Sequence, residues 1–304
     1  MYTGQTTFAK LQGSVIAVPP LARNADLTLN RAENTRLIRH LEAGGVDTLL
    51  YGGNANLYNI ALSEYDALLT MLGGIVAKDT WVVPSLGPSF GMMMDQAKIL
   101  RQHAFPTAMV LPPSFAYTPA GLATGIRKAV EVYGKPIVLY LKEEHILGVD
   151  DAKRLVDDKL VSWIKYAVVR KDPTQDAYLA KLVQVVDPKI IISGIGEQPA
   201  IIHMRDFGVA GFTAGCVCVA PKPSAALLKA VLAKNWAEAE RLRALFVGLE
   251  DLRNAISPIR VLHEAVSLSG VADMGPILPI LSPISDEQKV QVGAAAKALL
   301  KLNA

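Results

Sequence analysis

Cysteine is nearly absent. The 304 residues contain two, Cys216 and Cys218, and a bridge between thiols this close in sequence would be strained. A disulfide framework is thereby excluded, and reduced thiols in a cytoplasmic protein are the expectation. Metal-ligand spacing is missing too: a zinc site needs three or four ligands, and no histidine stands close to the cysteine pair. His40, His103 and His203 fall in helical patterns without ligand spacing to one another. Charge of one sign is nowhere concentrated. The 31 basic and 28 acidic residues are interleaved and leave a net charge of +3, which argues against the basic stripe of a nucleic-acid surface. No apolar run approaches the roughly 18 residues needed to cross a bilayer. The opening Met1-Tyr2-Thr3-Gly4-Gln5 lacks the basic and apolar regions of a secretion signal, so neither a membrane span nor a leader is expected.

What the chain has in quantity is apolar material, 51 % hydrophobic against 19 % charged, enough for a large core. Eight short apolar runs rich in β-branched residues recur: Ser14–Val18, Thr48–Tyr51, Trp81–Val83, Ala108–Leu111, Ile137–Leu141, Val161–Val168, Ile190–Ser193 and Gly211–Val219. Each is continuous rather than alternating, as strands buried on both faces of a parallel sheet require. Between them lie helical stripes. Leu37, Ile38 and Leu41 share one face, which Gly44-Gly45 ends; Leu68, Leu72, Ile75 and Val76 form another. The α/β class follows, with a closed (β/α)8 barrel favoured over an open doubly wound sheet because the spacing is short and regular.

Beyond Pro221 the strand signal stops. We expect a barrel over 1–222 and a helical extension over 223–304 that packs on it. The expected helices are Ala225–Leu232, Trp236–Ala255, Pro258–Ser269 and one starting near Ser285, where Ser285 and Gln288 fit a capping box.

In a barrel of this kind chemistry sits at the C-terminal strand ends. The fifth run carries Tyr140 and the sixth Lys165, each a polar tip inside an apolar stretch. A buried lysine loses affinity for its proton, and the free amine can attack a carbonyl. Tyr140 could relay protons. The alternative is ordinary packing, with Lys165 reaching out from a strand end and the Tyr140 hydroxyl in water. Gly194-Ile195-Gly196 lacks the remainder of a dinucleotide fingerprint, and no cofactor is expected.

Tyr140 and Ser162-Trp163-Ile164-Lys165 stand in the order and spacing of a known pattern. So do Ile16-Ala17-Val18-Pro19-Pro20-Leu21, Gly211 to Pro221, Asn235-Trp236-Ala237-Glu238-Ala239 and Leu278-Pro279-Ile280-Leu281. Along essentially its whole length the chain resembles the dihydrodipicolinate synthase and N-acetylneuraminate lyase family. The resemblance implies a (β/α)8 barrel in which Lys165 forms a Schiff base with pyruvate or another 2-keto acid and Tyr140 shuttles protons. It also implies a homo-oligomer, dimer or tetramer.

The departures are equally informative. Where the family has a Gly-Thr-Thr-Gly-Glu loop for the keto-acid carboxylate, this chain has Gly52-Gly53-Asn54-Ala55-Asn56. Backbone N–H groups there can still hold a carboxylate, but the hydroxyl relay is gone. The family's arginine for a second substrate is replaced in Leu141-Lys142-Glu143-Glu144-His145-Ile146, and Tyr117 in Pro112 to Tyr117 is out of register with the tyrosine lent across the dimer. Lys142 lies on the face of Tyr140. It could bind a carboxylate or lower the pKa of Lys165; the alternative is a solvated loop whose Lys142, Glu143 and Glu144 pair among themselves. Gly52, Gly53, Asn54, Thr213 and Lys142 are the expected substrate contacts, and a second substrate different from that of true dihydrodipicolinate synthases is the expectation. A sugar-acid dehydratase using the same imine and a non-catalytic ligand-binding paralogue are the competing readings.

Overall fold

The computed structural model describes residues 1–303. Its strands are β1 (Ile16–Ala17), β2 (Thr48–Leu50), β3 (Trp81–Val83), β4 (Ser85–Leu86), β5 (Met109–Val110), β6 (Ile137–Leu141), β7 (Val161–Tyr166), β8 (Ile191–Ser193) and β9 (Gly211–Ala214). They form one sheet in the order β3-β2-β1-β9-β8-β7-β6-β5-β4, and every pairing is parallel. The two ends of that order are consecutive in the chain, separated only by Pro84, which has no N–H for the ladder. Together β3 and β4 make one stave, so the sheet closes as an eight-staved (β/α)8 barrel.

Helices alternate with the staves and bury the stripes seen in the sequence. Arg31–Ala43 buries Leu37, Ile38 and Leu41, starts where Asn30 Oδ1 accepts from Glu33 N at 3.1 Å, and ends at Gly44. Leu62–Ile75 buries Leu68, Leu72 and Ile75. At the N-terminal end of the barrel, Trp81 and Trp163 meet edge to face at 6.5 Å, and Tyr2 packs on Trp81. Both indole N–H groups are buried there without a partner, which offsets part of the gain from burying the rings. None of the described helices is long and apolar enough to cross a membrane.

The C-terminal part departs from expectation in three places. The helix expected from Ala225 begins at Pro221, because proline is tolerated in a first turn, whose N–H groups have no helical partners. The single helix expected over Trp236–Ala255 is two, Trp236–Ala244 and Val247–Ile256, broken at Leu245-Phe246; the break sinks Phe246 fully into the core. The eighth apolar run stops being a strand at Ala214. Cys216–Cys218 is a 3-10 turn, so the two buried cysteines do not share a strand face. His103 also lies in a turn, after the helix Phe90–Leu100, with its ring 2.8 Å from Asp66 Oδ1. The last helix, Asp286–Lys301, opens on the Ser285/Gln288 capping box with both reciprocal bonds made.

Candidate active site

At the C-terminal ends of the staves a cavity of about 240 Å³ opens. Lys165 on β7 pairs in register with Tyr140 on β6, so parallel pairing alone makes them neighbours. Both point into the cavity, and Lys165 Nζ stands 4.3 Å from the centre of the Tyr140 ring. Only 4 % of Lys165 is exposed. Burial first, then the charges of Arg253 and Lys142, lower its pKa from the usual 10.5 to about 7. Burial pushes the Tyr140 phenol up to about 12, opposed by Arg253. At neutral pH the site therefore holds an amine that is substantially unprotonated beside a hydroxyl that keeps its proton.

The space for Lys165 depends on Gly194. A Cβ built there would fall 2.7 Å from Ala167 Cβ, 2.8 Å from the Tyr166 carbonyl oxygen and 3.0 Å from Lys165 Cγ. Gly194, the first glycine of the Gly194-Ile195-Gly196 stretch, is thus a clearance for the lysine stem.

Gly53, Asn54, Thr213 and Lys142 line the same cavity. Gly53 and Asn54 begin a tight turn, closed by Asn56 N donating to Gly53 O at 2.8 Å, and Asn54 Nδ2 donates to Val18 O at 3.0 Å. Gly52 does not line the cavity. It packs behind the wall, where a Cβ would meet Met109 Cε at 2.6 Å and Ser85 Oγ at 3.0 Å, so its side-chain-free α-carbon serves packing.

Lys142 stands at the cavity rim and also lines an outer vestibule with Tyr58, Pro112, Tyr117 and His145. Lys142 does not pair with the carboxylates of its own loop. Glu144 bonds to Arg170, Glu143 lies 3.4 Å from His145 Nδ1, and no carboxylate among the described residues pairs with Lys142. Arg170 also reaches the fully buried Asp176 at 3.0 Å, which accepts from Tyr166 Oη at 2.6 Å. That chain ties the loop after β6 to the end of β7. Tyr117 faces the vestibule of its own chain.

Four contributors were not picked out in the sequence. Tyr58, whose phenol pKa is raised by burial and by Tyr140, lines the wall. Arg253, Asn254 and Ser257 enter from the C-terminal helices. The signal for Arg253 was faint but present: on Val247–Ile256 the buried face consists of Leu249, Glu250 and Arg253, an arginine and a glutamate where helical spacing calls for apolar residues. Among the described residues no three His, Cys, Asp or Glu side chains gather in a way that could hold a metal ion.

A model of the dihydrodipicolinate synthetase family matches residues 11–299. Among solved structures, dihydrodipicolinate synthase from Oceanobacillus iheyensis superposes with a TM-score of 0.83 at 21 % identity, covering 96 % of this chain and 99 % of that one. The enzyme from Bacillus clausii gives 0.84 at 20 % identity, covering 96 % and 99 %. YagE from E. coli K12, a prophage protein belonging to the dihydrodipicolinic acid synthase family and solved in complex with pyruvate, gives 0.81 at 20 % identity, covering 94 % and 98 %. At these identities the likeness establishes the fold. A search of curated proteins by sequence found no match.

Proposed function

The chain belongs to the dihydrodipicolinate synthetase family of lyases, and on that premise we propose that it is a class I lyase or aldolase that forms a Schiff base between Lys165 and pyruvate or another 2-keto acid. The observation that carries the reading is the pairing of a buried amine, with its pKa near 7, and a tyrosine 4.3 Å away in a small cavity at the catalytic end of the barrel.

The neutral Nζ attacks the C2 carbonyl, and Tyr140 hands its proton to the carbinolamine oxygen, which leaves as water. The resulting protonated imine is an electron sink. Loss of a C3 proton gives an enamine, whose carbon attacks an aldehyde to form a carbon–carbon bond; in reverse, the C3–C4 bond breaks. The same enamine can instead expel a C4 hydroxyl as water, which is the dehydratase reading. Gly53, Asn54 and Thr213 offer hydrogen-bond donors to the bound acid, with Lys142 at the rim for the partner substrate. The second substrate differs, in this proposal, from that of true dihydrodipicolinate synthases, because His145 replaces the planar arginine fork and is turned toward the solvent-facing vestibule.

A homo-oligomer, dimer or tetramer, belongs to the same proposal. Its support is Phe115, 89 % exposed, and Phe90, 52 % exposed, flanking one apolar groove. A cytoplasmic location fits two free thiols. The test is a screen of 2-keto-3-deoxy acids that scores released pyruvate separately from loss of the substrate hydroxyl. Turnover on either channel, abolished in Lys165→Ala, is the expected result. Turnover that survives Lys165→Ala would end the proposal; keto-acid binding without any turnover would favour the ligand-binding paralogue.

A further inference from the structure

Arg253 is 8 % exposed, and its Nε and Nη1 are buried with no hydrogen-bond partner. An arginine cannot escape this position by giving up its proton, and a buried guanidinium without partners is costly. Two carboxylates and the Cys216 thiol lie in the neighbourhood; each carboxylate uses one oxygen elsewhere and keeps its Oε2 buried without a partner. Glu197 Oε1 accepts from Ser224 Oγ at 2.9 Å, and Glu250 Oε1 accepts from Glu197 N at 2.9 Å. Burial raises the pKa of both, opposed by the Arg253 charge. Their field favours a cation at Arg253 without occupying its Nε and Nη1.

The place of the guanidinium is fixed by two glycines. A Cβ built on Gly215, just past β9, would lie 3.2 Å from Arg253 Nη1 and 3.3 Å from Asn54 Nδ2; one on Gly196, past β8, would lie 3.5 Å from Nη1. Arg253 thus comes in over the ends of β8 and β9 and faces the Gly53-Asn54 turn, lining the cavity that holds Lys165. No Asp or Glu lines that cavity. Arg253, the Gly53-Asn54 turn and Thr213 are all donors, which makes this end of the cavity a receptor for an anion. Nε and Nη1 are sealed among protein atoms, so the nitrogen offered to such an anion is Nη2, whose charge-assisted hydrogen bond suits a carboxylate.

We propose that Arg253 grips the carboxylate of the 2-keto acid and so sets the ketone carbon in front of Lys165 Nζ, an inference that rests on the Schiff-base reading above. The carboxylate meets the guanidinium at Nη2, the nitrogen that is neither bonded nor sealed among protein atoms, and answers its buried charge. Selectivity lies with Arg253 and not with the amine: a ketone without a carboxylate can still react at Lys165, but is not held.

The test compares borohydride trapping of pyruvate with trapping of acetone, a ketone lacking the carboxylate, in the unaltered protein, in Arg253→Met and in Arg253→Lys. The ratio of the two at each pH cancels the fraction of Lys165 that is unprotonated. In Arg253→Met the half-saturating pyruvate concentration should rise about 100-fold while acetone trapping at high pH is unchanged, the loss typical of a charged hydrogen-bonded pair. The pH midpoint of acetone trapping should move upward, because removing a neighbouring cation eases protonation of Lys165. Arg253→Lys keeps the charge facing Glu197 and Glu250, which guards against a folding failure, and should raise half-saturation by about tenfold through loss of the Nη2 hydrogen-bond geometry. A pyruvate-to-acetone ratio unchanged in both variants would overturn the role of Arg253 alone. An unaltered protein that traps neither ketone would overturn the Schiff-base reading and this inference with it.

Discussion

Replacing Lys165 by methionine should stabilise the folded protein, and the gain should depend on pH in a way that reports the buried amine directly. The pKa of Lys165 falls from 10.5 in the unfolded chain to about 7 in the folded one, a difference that corresponds to about 5 kcal/mol against the charged form. Between those two values the unfolded state binds more protons, so this residue makes stability rise with pH. Its penalty is complete below pH 7, fades as pH climbs, and is gone above 10.5. Methionine has a similar length and no charge, and it removes the penalty. Urea unfolding at pH 6 should therefore find Lys165→Met more stable by up to about 5 kcal/mol, with the advantage shrinking through pH 8 and 9. Near pH 10.5 only a packing difference below about 1.5 kcal/mol should remain. An advantage that is flat with pH, or a variant less stable at pH 6, would refute the claim that Lys165 is held as a desolvated amine.

Other consequences follow from the same geometry. Tyr140→Phe should still yield a borohydride adduct on Lys165, while turnover falls about 10²- to 10⁴-fold through loss of the proton relay; steady-state rates and intact mass on one sample check both halves. Gly194→Ala forces a methyl against Ala167, the Tyr166 carbonyl and the Lys165 stem, so we expect a loss of about 1–3 kcal/mol in urea unfolding together with impaired trapping. Ser285→Ala breaks the capping box at the last helix and should cost about 1 kcal/mol in stability, leaving trapping untouched.

Much of the fold was legible because burial leaves a simple mark. The parallel staves are covered on both faces, so Ile137–Leu141 and Trp81–Val83 read as unbroken apolar runs whose limits coincide with the strands. Where a run outlasts its ladder the reading overshoots: Val168 and Cys216 to Val219 are as buried as strand residues, but the chain has already turned. Composition does not separate those cases. Lys165 and Tyr140 stood out as polar tips in apolar strands, and parallel register then makes them adjacent. Arg253 was harder. It reaches the cavity from a helix far along the sequence, and its approach depends on the break at Leu245-Phe246, which is marked only by Gly248 inside the apolar pattern that follows. Gly52 was expected among the substrate contacts; it packs against Met109 and Ser85 on the neighbouring staves, and that packing decides which residues of the loop face the cavity.

The most direct test of the account is to incubate the protein with pyruvate, reduce with borohydride, and map the modified peptide by mass spectrometry. The account predicts a single reduced adduct on Lys165, formed with a pH midpoint near 7. Modification of other lysines with Lys165 untouched, or no adduct with any 2-keto acid, would contradict it.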